Sequence, residues 1–200
     1  MRPRATIRRG FSLVELLIAL SISAALLTSV LAALNACFRA YQATTEETST
    51  DMVGRVVMYR MLSLVRNGAG FGPLPNFAAN PPETIIASDS MSFVDDEDRE
   101  IEFEFVPNTM GELGELRMRL SANGVTGQWQ RLLEGVRAPR AENGDPLPVF
   151  TLEYDTGYKL VRATIDMTVF PDDNASLTLE GDEARPTRLV GGTAPRRLVW

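Results

Sequence analysis

The stretch RRGFSLVELLIALSISAALLTSVLAAL, residues 8–34, decides how the chain is organised. From Phe11 to Leu34 the segment holds 24 residues, and Glu15 is the only formal charge among them. As an α-helix it would be ~36 Å long, which is enough to cross the hydrocarbon core of a bilayer. The sequence therefore predicts one membrane-spanning helix with an unexplained carboxylate near its start.

Charges on either side of this helix predict its orientation. Four arginines and no acid stand within the first ten residues, whereas the charges after the helix begin with Arg39, Glu46, Glu47 and Asp51. The positive-inside rule then places the N-terminus in the cytoplasm. The rest of the chain is expected on the far side of the membrane.

Composition limits the function of that remainder. The chain has 200 residues, of which 44% are apolar and 23% charged, so it is long enough for one domain with a core plus an N-terminal appendage. A chain that starts at Phe11 has 16 basic and 26 acidic residues, a net charge of −10, which argues against a nucleic-acid partner. Histidine is absent and Cys37 is the only cysteine, so we expect no catalytic residue, no cofactor and no metal site.

Three export signals compete for the N-terminal segment. An ordinary secretory signal has an apolar region of about 7–15 residues, which this segment exceeds. The sequence LNAC, residues 34–37, resembles a lipoprotein cleavage box, but Asn35 replaces a small or apolar residue. The sequence RRGF, residues 8–11, is similar to a twin-arginine signal, although the apolar run that follows is longer than such signals have.

A fourth signal accounts for the glutamate. Gly10, Phe11 and the SLVELLI of residues 12–18 resemble the class III leader of the type IV pilin superfamily. The resemblance implies that a prepilin peptidase/methyltransferase cuts after Gly10 and methylates the new N-terminal Phe11. It also implies a bacterial inner-membrane protein with a periplasmic domain, whose partners are other pilins or pseudopilins through the stem helix, an inner-membrane assembly platform and membrane lipid.

Physical reasoning gives Glu15 a role in assembly. A carboxylate near the bilayer centre costs about 2.5–3.5 kcal/mol, and less near an interface. The cationic amine of a cleaved chain at Phe11 offers a partner when helices assemble side by side with an offset of roughly four residues. The alternative is that Glu15 extends to the cytoplasmic headgroups and does nothing else.

The helix is expected to continue to Asn67, because no proline occurs before Pro73. Residues 11–34 form its membrane-spanning half and residues 35–67 an amphipathic half that packs on the following domain. The predicted packing stripe has three- and four-residue spacing and contains Phe38, Tyr41, Met52, Val53, Val56, Val57, Met61, Leu64 and Val65.

The sequence NGAGFGPLP, residues 67–75, is predicted to stop the helix. A phosphate loop is the rejected alternative, because such loops follow a strand and open a helix. The preceding segment is similar to the end of the first helix in PilW-class minor pilins and in J-class minor pseudopilins of type II secretion.

Residues 74–200 are predicted to form a β-rich domain. Residues 99–106 and 116–120 alternate apolar with charged side chains, which predicts an antiparallel hairpin whose glutamates face arginines. Residues 149–154 and 158–170 predict a second hairpin, and ASLTLEG, residues 175–181, predicts a last strand. The order of LLEGV, FTLEY and VRATIDMTV resembles the C-terminal half of J-class pseudopilins.

Acidic loops and the C-terminal tail are weaker candidates for binding. Asp95–Asp98 and Asp172–Asn174 offer oxygen ligands, but neither has the spacing of an EF-hand, so solvated turns are expected instead of calcium sites. The tail from Ala184 contains four arginines and no acid. It is expected either to dock on another subunit or to form a loosely ordered end.

Together these features predict an α+β, pilin-like fold in which a long N-terminal helix packs on an antiparallel β-rich domain. Residues 1–10 would be a cleaved leader. The predicted function is that of a minor pseudopilin, a non-enzymatic subunit that starts or caps a type II secretion pseudopilus. The alternatives are a minor pilin of a type IV pilus or DNA-uptake filament, and a single-pass membrane-anchored domain that never assembles.

Overall fold

The computed structural model describes residues 12–78, 84–108, 113–155, 158–171 and 186–196. These residues form one long helix, α1 (Leu13–Asn67), and an antiparallel sheet that contains nine described strands. The chain divides into two compact units, Met1–Thr45 and Glu46–Trp200. The predicted α+β, pilin-like fold class is confirmed, and so is the end of the helix at Asn67.

The strands follow the helix in order along the chain. They are β1 (Ala69–Gly72), β2 (Ile85–Ser88), β3 (Ser90–Val94), β4 (Glu100–Pro107), β5 (Gly114–Ser121), β6 (Gln130–Arg137), β7 (Phe150–Tyr154), β8 (Leu160–Val169) and β9 (Thr187–Thr193). The glycine segment that stops the helix thus pairs at once as β1, a strand that the sequence analysis did not predict.

The sheet runs in the order β1-β3-β4-β5-β6-β8-β7-β2, with β9 paired to β8. Ile165 of β8 pairs with both Phe150 of β7 and Gly191 of β9, so β7 and β9 lie on opposite edges of β8. Val169 of β8 pairs with both Val136 of β6 and a residue of β9, so β6 and β9 also lie on opposite edges of β8. β6 therefore lies on the same edge of β8 as β7. Two strands following one another along one edge of β8 curl the sheet.

Both predicted hairpins are confirmed. In the first, β4 pairs antiparallel with β5, and Glu102 faces Arg119 while Glu104 faces Arg117. The apolar residues of β4 turn the other way into the core, where Phe103 is fully buried. In the second, β7 pairs antiparallel with β8. The alternation of side chains in the sequence therefore sets the register of both pairs.

The second half of α1, within the Glu46–Trp200 unit, packs on the sheet through a stripe that matches the predicted one only in part. Met61 and Val65 are buried as predicted, and Val57 and Leu64 are partly buried against the core. The buried seam also includes Gly54 and Met58. In contrast, five predicted members are exposed: Phe38, Tyr41, Met52, Val53 and Val56.

A glycine explains this error. A Cβ atom built at Gly54 would lie 2.9 Å from Cδ1 of Leu189 on β9, so the strand approaches the helix where the helix has no side chain. A search for the periodicity of large apolar residues does not detect Gly54, because the apolar side chain at this contact belongs to the strand and not to the helix.

The prediction of a loosely ordered tail is wrong for the part that forms β9. Leu189 is buried, and Arg188 donates hydrogen bonds to Asp166 of β8 at 3.0 and 2.7 Å. The backbone N–H of Arg196 also donates to the carbonyl of Arg66 at 2.8 Å. The predicted strand at residues 175–181 lies outside the described residues.

Candidate functional site

The start of α1 is built by a capping interaction between Ser12 and Glu15. Ser12 occupies the N-cap position, and its carbonyl accepts the first helical hydrogen bond from the N–H of Leu16 at 3.2 Å. The carboxylate of Glu15 accepts the backbone N–H of Ser12 at 2.9 Å. A glutamate three residues after an N-cap serine is the capping-box arrangement, which satisfies an otherwise unpaired N–H group.

The S-x-x-E pattern of residues 12–15 is the sequence signature of this cap, and the sequence analysis did not predict it. The carboxylate is exposed, and it lies at the positive end of the helix dipole. A second donor can therefore approach it from outside the helix. The predicted cleavage pair, Gly10 and Phe11, lies outside the described residues.

Apolar side chains surround Glu15 along the first helical unit. Leu13, Leu16 and Leu20 expose 60–75% of their surface, and this part of the helix holds no buried residue among those described. Leu13–Gln42 is long and apolar enough to cross a membrane. Such a surface requires another apolar environment, which a bilayer or neighbouring helices provide.

Hydroxyl groups in this segment satisfy their donors within the helix. Ser21, Thr28 and Ser29 donate to the carbonyls of Ile18, Ala24 and Leu26 at 2.8–2.9 Å. Back-bonding of this kind removes the need for water. Glu15 is thus the one charged side chain that this apolar segment carries before Arg39.

The candidate calcium loop at Asp95–Asp98 contains its own cation. Asp95 is buried, and its carboxylate accepts Nε and Nη2 of Arg99 at 2.8 and 2.7 Å. It also accepts the backbone N–H groups of Glu97 and Arg99 at 2.9 and 3.0 Å. Burial raises the pKa of this carboxyl, but the hydrogen bonds from Arg99 and Glu97 outweigh it and hold the pKa below its usual value.

The carboxylate of Asp95 is therefore already paired with the guanidinium of Arg99. Within the described ranges, no three acidic, histidine or cysteine residues are grouped to hold a metal. The second candidate loop, Asp172–Asn174, lies outside those ranges.

Charged side chains on the outer face of β4 and β5 are paired with one another. Arg117 donates two hydrogen bonds to Glu104 at 3.0 and 2.7 Å, and Arg119 pairs with Glu102. Both guanidinium groups lie 4.5 Å from the ring centroid of Trp129. This layer of ion pairs and one indole stabilises the hairpin.

Comparison with known proteins agrees with the geometry at the helix start. The prokaryotic N-terminal methylation motif matches residues 6–31, a segment that includes Gly10, Phe11 and Glu15. No curated protein and no solved structure matches the chain. The motif is a prepilin-type signal and indicates a type IV pilin-like protein, which is a structural class of protein.

Proposed function

We propose that this type IV pilin-like chain is a minor pseudopilin, a structural subunit that helps to start or cap the periplasmic pseudopilus of a type II secretion system. One observation carries the proposal. The methylation motif leads directly into an exposed apolar helix whose single carboxylate, Glu15, lies at the helix start.

Cleavage after Gly10 would complete this site. The new amine at Phe11 is cationic, and the helix start already directs the carboxylate of Glu15 toward the N-terminal end of the chain. When a neighbouring helix lies alongside with an offset of roughly four residues, its amine meets Glu15 and offsets the cost of the buried charge. The pair sets the axial register and favours extraction of the helix from lipid into the filament.

One feature of the β-domain favours the J-class pseudopilin over a PilW-class minor pilin. The segments LLEGV, FTLEY and VRATIDMTV, whose order resembles that of J-class pseudopilins, lie in β6, β7 and β8. A minor pilin of a type IV pilus or DNA-uptake filament uses the same motif and remains the second candidate.

The first experiment is to measure the intact mass and the N-terminal peptide of the protein purified from its native membranes. We expect a chain that begins with N-methylated Phe11. An uncut Met1 would contradict the proposal because no amine is then formed at Phe11. A chain that begins with an acylated Cys37 would contradict it because that chain lacks Glu15.

The second experiment is a Glu15→Leu substitution, with Thr28→Leu as its matched control in the same apolar segment. Both variants should insert in the membrane, since each replaces a polar side chain by an apolar one. Only Glu15→Leu should abolish secretion or piliation. Normal assembly of Glu15→Leu would favour a simple membrane anchor instead.

A further inference from the structure

Polar side chains bracket the apolar part of α1 at both ends. Between Glu15 and Asn35 there are 19 residues, 16–34, and none of them carries a charge. They extend over ~28 Å along the helix axis, which matches the roughly 30 Å hydrocarbon core of a bilayer. The longer span Leu13–Gln42 would extend over ~45 Å, so at an average tilt of about 20° its ends lie outside the core. The best fit places Glu15 at one surface of the core and Asn35 at the other.

The residues that follow Asn35 suit the interfacial layer of a membrane, which is about 5–7 Å deep on each side of the core. Phe38 and Tyr41 expose 60% and 70% of their surface. Their Cα atoms lie ~4.5 and ~9 Å beyond that of Asn35 along the axis. Helical side chains lean toward the N-terminus, so both rings reach back over the preceding turn. Tyr41 therefore fits the layer in which tyrosine is enriched, with Phe38 nearer to the core.

Arg39 supplies a cation at the same level of the helix. Its Nε donates a hydrogen bond to Oδ1 of Asn35 at 3.4 Å, so the guanidinium is turned back toward the surface of the core. An arginine at this depth keeps its aliphatic stem in apolar surroundings and its charge among the headgroups. A guanidinium also binds phosphate through two parallel hydrogen bonds, and phosphate is the anion that phospholipid headgroups offer.

The geometry of Glu15 suits the opposite surface of the core. Its carboxylate accepts the backbone N–H of Ser12 at 2.9 Å, which directs it toward the start of the helix and away from residues 16–34. With Asn35 at one surface of the core, this carboxylate points into the headgroup layer on the other side. A charge there avoids most of the cost that it has at the bilayer centre.

We propose that Phe38, Arg39 and Tyr41 form an anchor that binds the phospholipid headgroup layer and thereby holds Glu15 in the headgroup layer on the other side of the membrane. The inference requires that α1 spans a membrane but not that the chain assembles, so it goes beyond the proposed function. It also adds a step to that function. Glu15 enters apolar surroundings only when the helix leaves the bilayer, and a cationic partner is needed at that moment.

The test is the depth of spin labels on the full-length chain in vesicles of phosphatidylethanolamine and phosphatidylglycerol. One label is attached to Cys37, the only cysteine of the chain. Others are attached to Leu16→Cys and Ala25→Cys in chains that also carry Cys37→Ser. Collision rates with oxygen, which concentrates in the core, and with a water-soluble nickel complex measure the depth. We expect the labels at positions 16 and 37 at the two surfaces of the core and the label at 25 near its centre.

Two depth profiles would overturn the proposal. If the label at position 16 is as deep as the label at 25, Glu15 lies inside the core. If the label at Cys37 collides with neither reagent, a neighbouring helix covers the anchor instead of lipid, and if it collides with nickel as freely as a label in water, the anchor lies outside the membrane.

Alanine substitutions test the anchor itself. With Phe38, Arg39 and Tyr41 all replaced by alanine, the helix should slide, so that the label at Cys37 moves deeper and the label at position 16 moves outward. The control is Tyr59→Ala, because Tyr59 is 70% exposed on the same helix, as Tyr41 is. It should change neither depth. Unchanged depths in the triple variant would overturn the proposal, and if that variant does not insert, the profile of the native anchor decides.

These results separate the inference from the proposed function. If Glu15→Leu abolishes assembly but the label at position 16 lies deep in the core, only the anchor proposal fails. If Glu15→Leu assembles normally and the depths are as expected, the proposed function fails and the anchor stands.

Discussion

Single carboxylates in this protein acquire their roles from the groups that surround them. Glu15 and Asp95 both accept backbone N–H groups close to them in sequence. Asp95 has the guanidinium of Arg99 as its counter-ion within the same loop, whereas Glu15 lies on an apolar helix whose next charge is Arg39. Asp95 and Arg99 form a structural ion pair within the loop, whereas we propose that Glu15 pairs with a group from outside its helix.

Removal of the Asp95 carboxylate should therefore destabilise the β-domain. We expect Asp95→Ala to lower the free energy of unfolding by about 1–3 kcal/mol, because two backbone N–H groups lose their acceptor and Arg99 retains only its ion pair with Glu97. The matched control is Asp96→Ala, since Asp96 is the exposed neighbour in the same loop. Its effect should stay within about 0.5 kcal/mol. Denaturant unfolding of the purified chain measures both, and equal effects would contradict the closed-loop interpretation.

Acid should remove the contribution of Asp95. Its pKa is lower in the folded chain than the roughly 3.9 of an unfolded aspartate, so the unfolded state binds more protons between these two values. The stabilisation is fully present above the unfolded pKa and is lost as the pH falls through the folded pKa. The stability difference between the native chain and Asp95→Asn should hold from pH 7 to about 5 and shrink below about pH 4. If this stability difference grew on acidification, the pKa of Asp95 would have to be raised in the folded chain, not lowered.

At the scale of elements, α1 changes its environment along its length. Its first unit exposes an apolar surface all around, while the part after Glu46 buries one narrow seam and exposes Met52, Val53, Val56 and Tyr59 on other faces. A helix with one buried seam is a surface helix of a domain, and an all-apolar helix is typical of a membrane span.

The corrected seam makes a direct prediction for two methionines of the same helix. Met61 is 1% exposed and Met52 is 62% exposed. We expect Met61→Ala to cost about 2–5 kcal/mol of unfolding free energy, because it leaves a cavity in the core. Met52→Ala should change it by less than about 0.5 kcal/mol. Similar losses of unfolding free energy in the two variants would instead support the stripe that the sequence predicted.

Elements with their own local pattern could be predicted from the sequence. Strict alternation of apolar and charged residues predicted the β4–β5 hairpin with its ion pairs, and a short glycine-containing turn predicted the β7–β8 hairpin. β9 could not be predicted in this way, because Gly191 and Gly192 lower its strand propensity and its stability comes from β8 and the helix. The seam at Gly54 was missed for the same reason, since its apolar contact belongs to Leu189.

The candidate site divides along similar lines. The apolar helix, its acidic start and the methylation motif are local patterns, so the sequence predicts them without tertiary information. The buried state of Asp95 depends on how its loop folds back on Arg99, which composition alone did not reveal. The sequence therefore identified an acidic loop correctly but not the ion pair that occupies it.

At the scale of the whole molecule, the two compact units have separate requirements for stability. The buried apolar side chains that the structure describes begin at Met58 and end at Leu189, so they belong to the Glu46–Trp200 unit. The residues of the first unit that the structure describes are exposed. The Glu46–Trp200 unit is therefore stabilised by a core of its own.

A fragment that comprises residues 46–200 should consequently fold without detergent. It retains Gly54, Met58, Met61 and Val65, and with them the seam that packs on the sheet. We expect a monomer in gel filtration and one cooperative thermal transition by circular dichroism, close to that of the full chain in detergent. The same fragment with Met61→Ala is the control and should melt at a lower temperature. A fragment that aggregates or lacks a transition would show that residues 1–45 contribute to the fold of the domain as well as to its attachment.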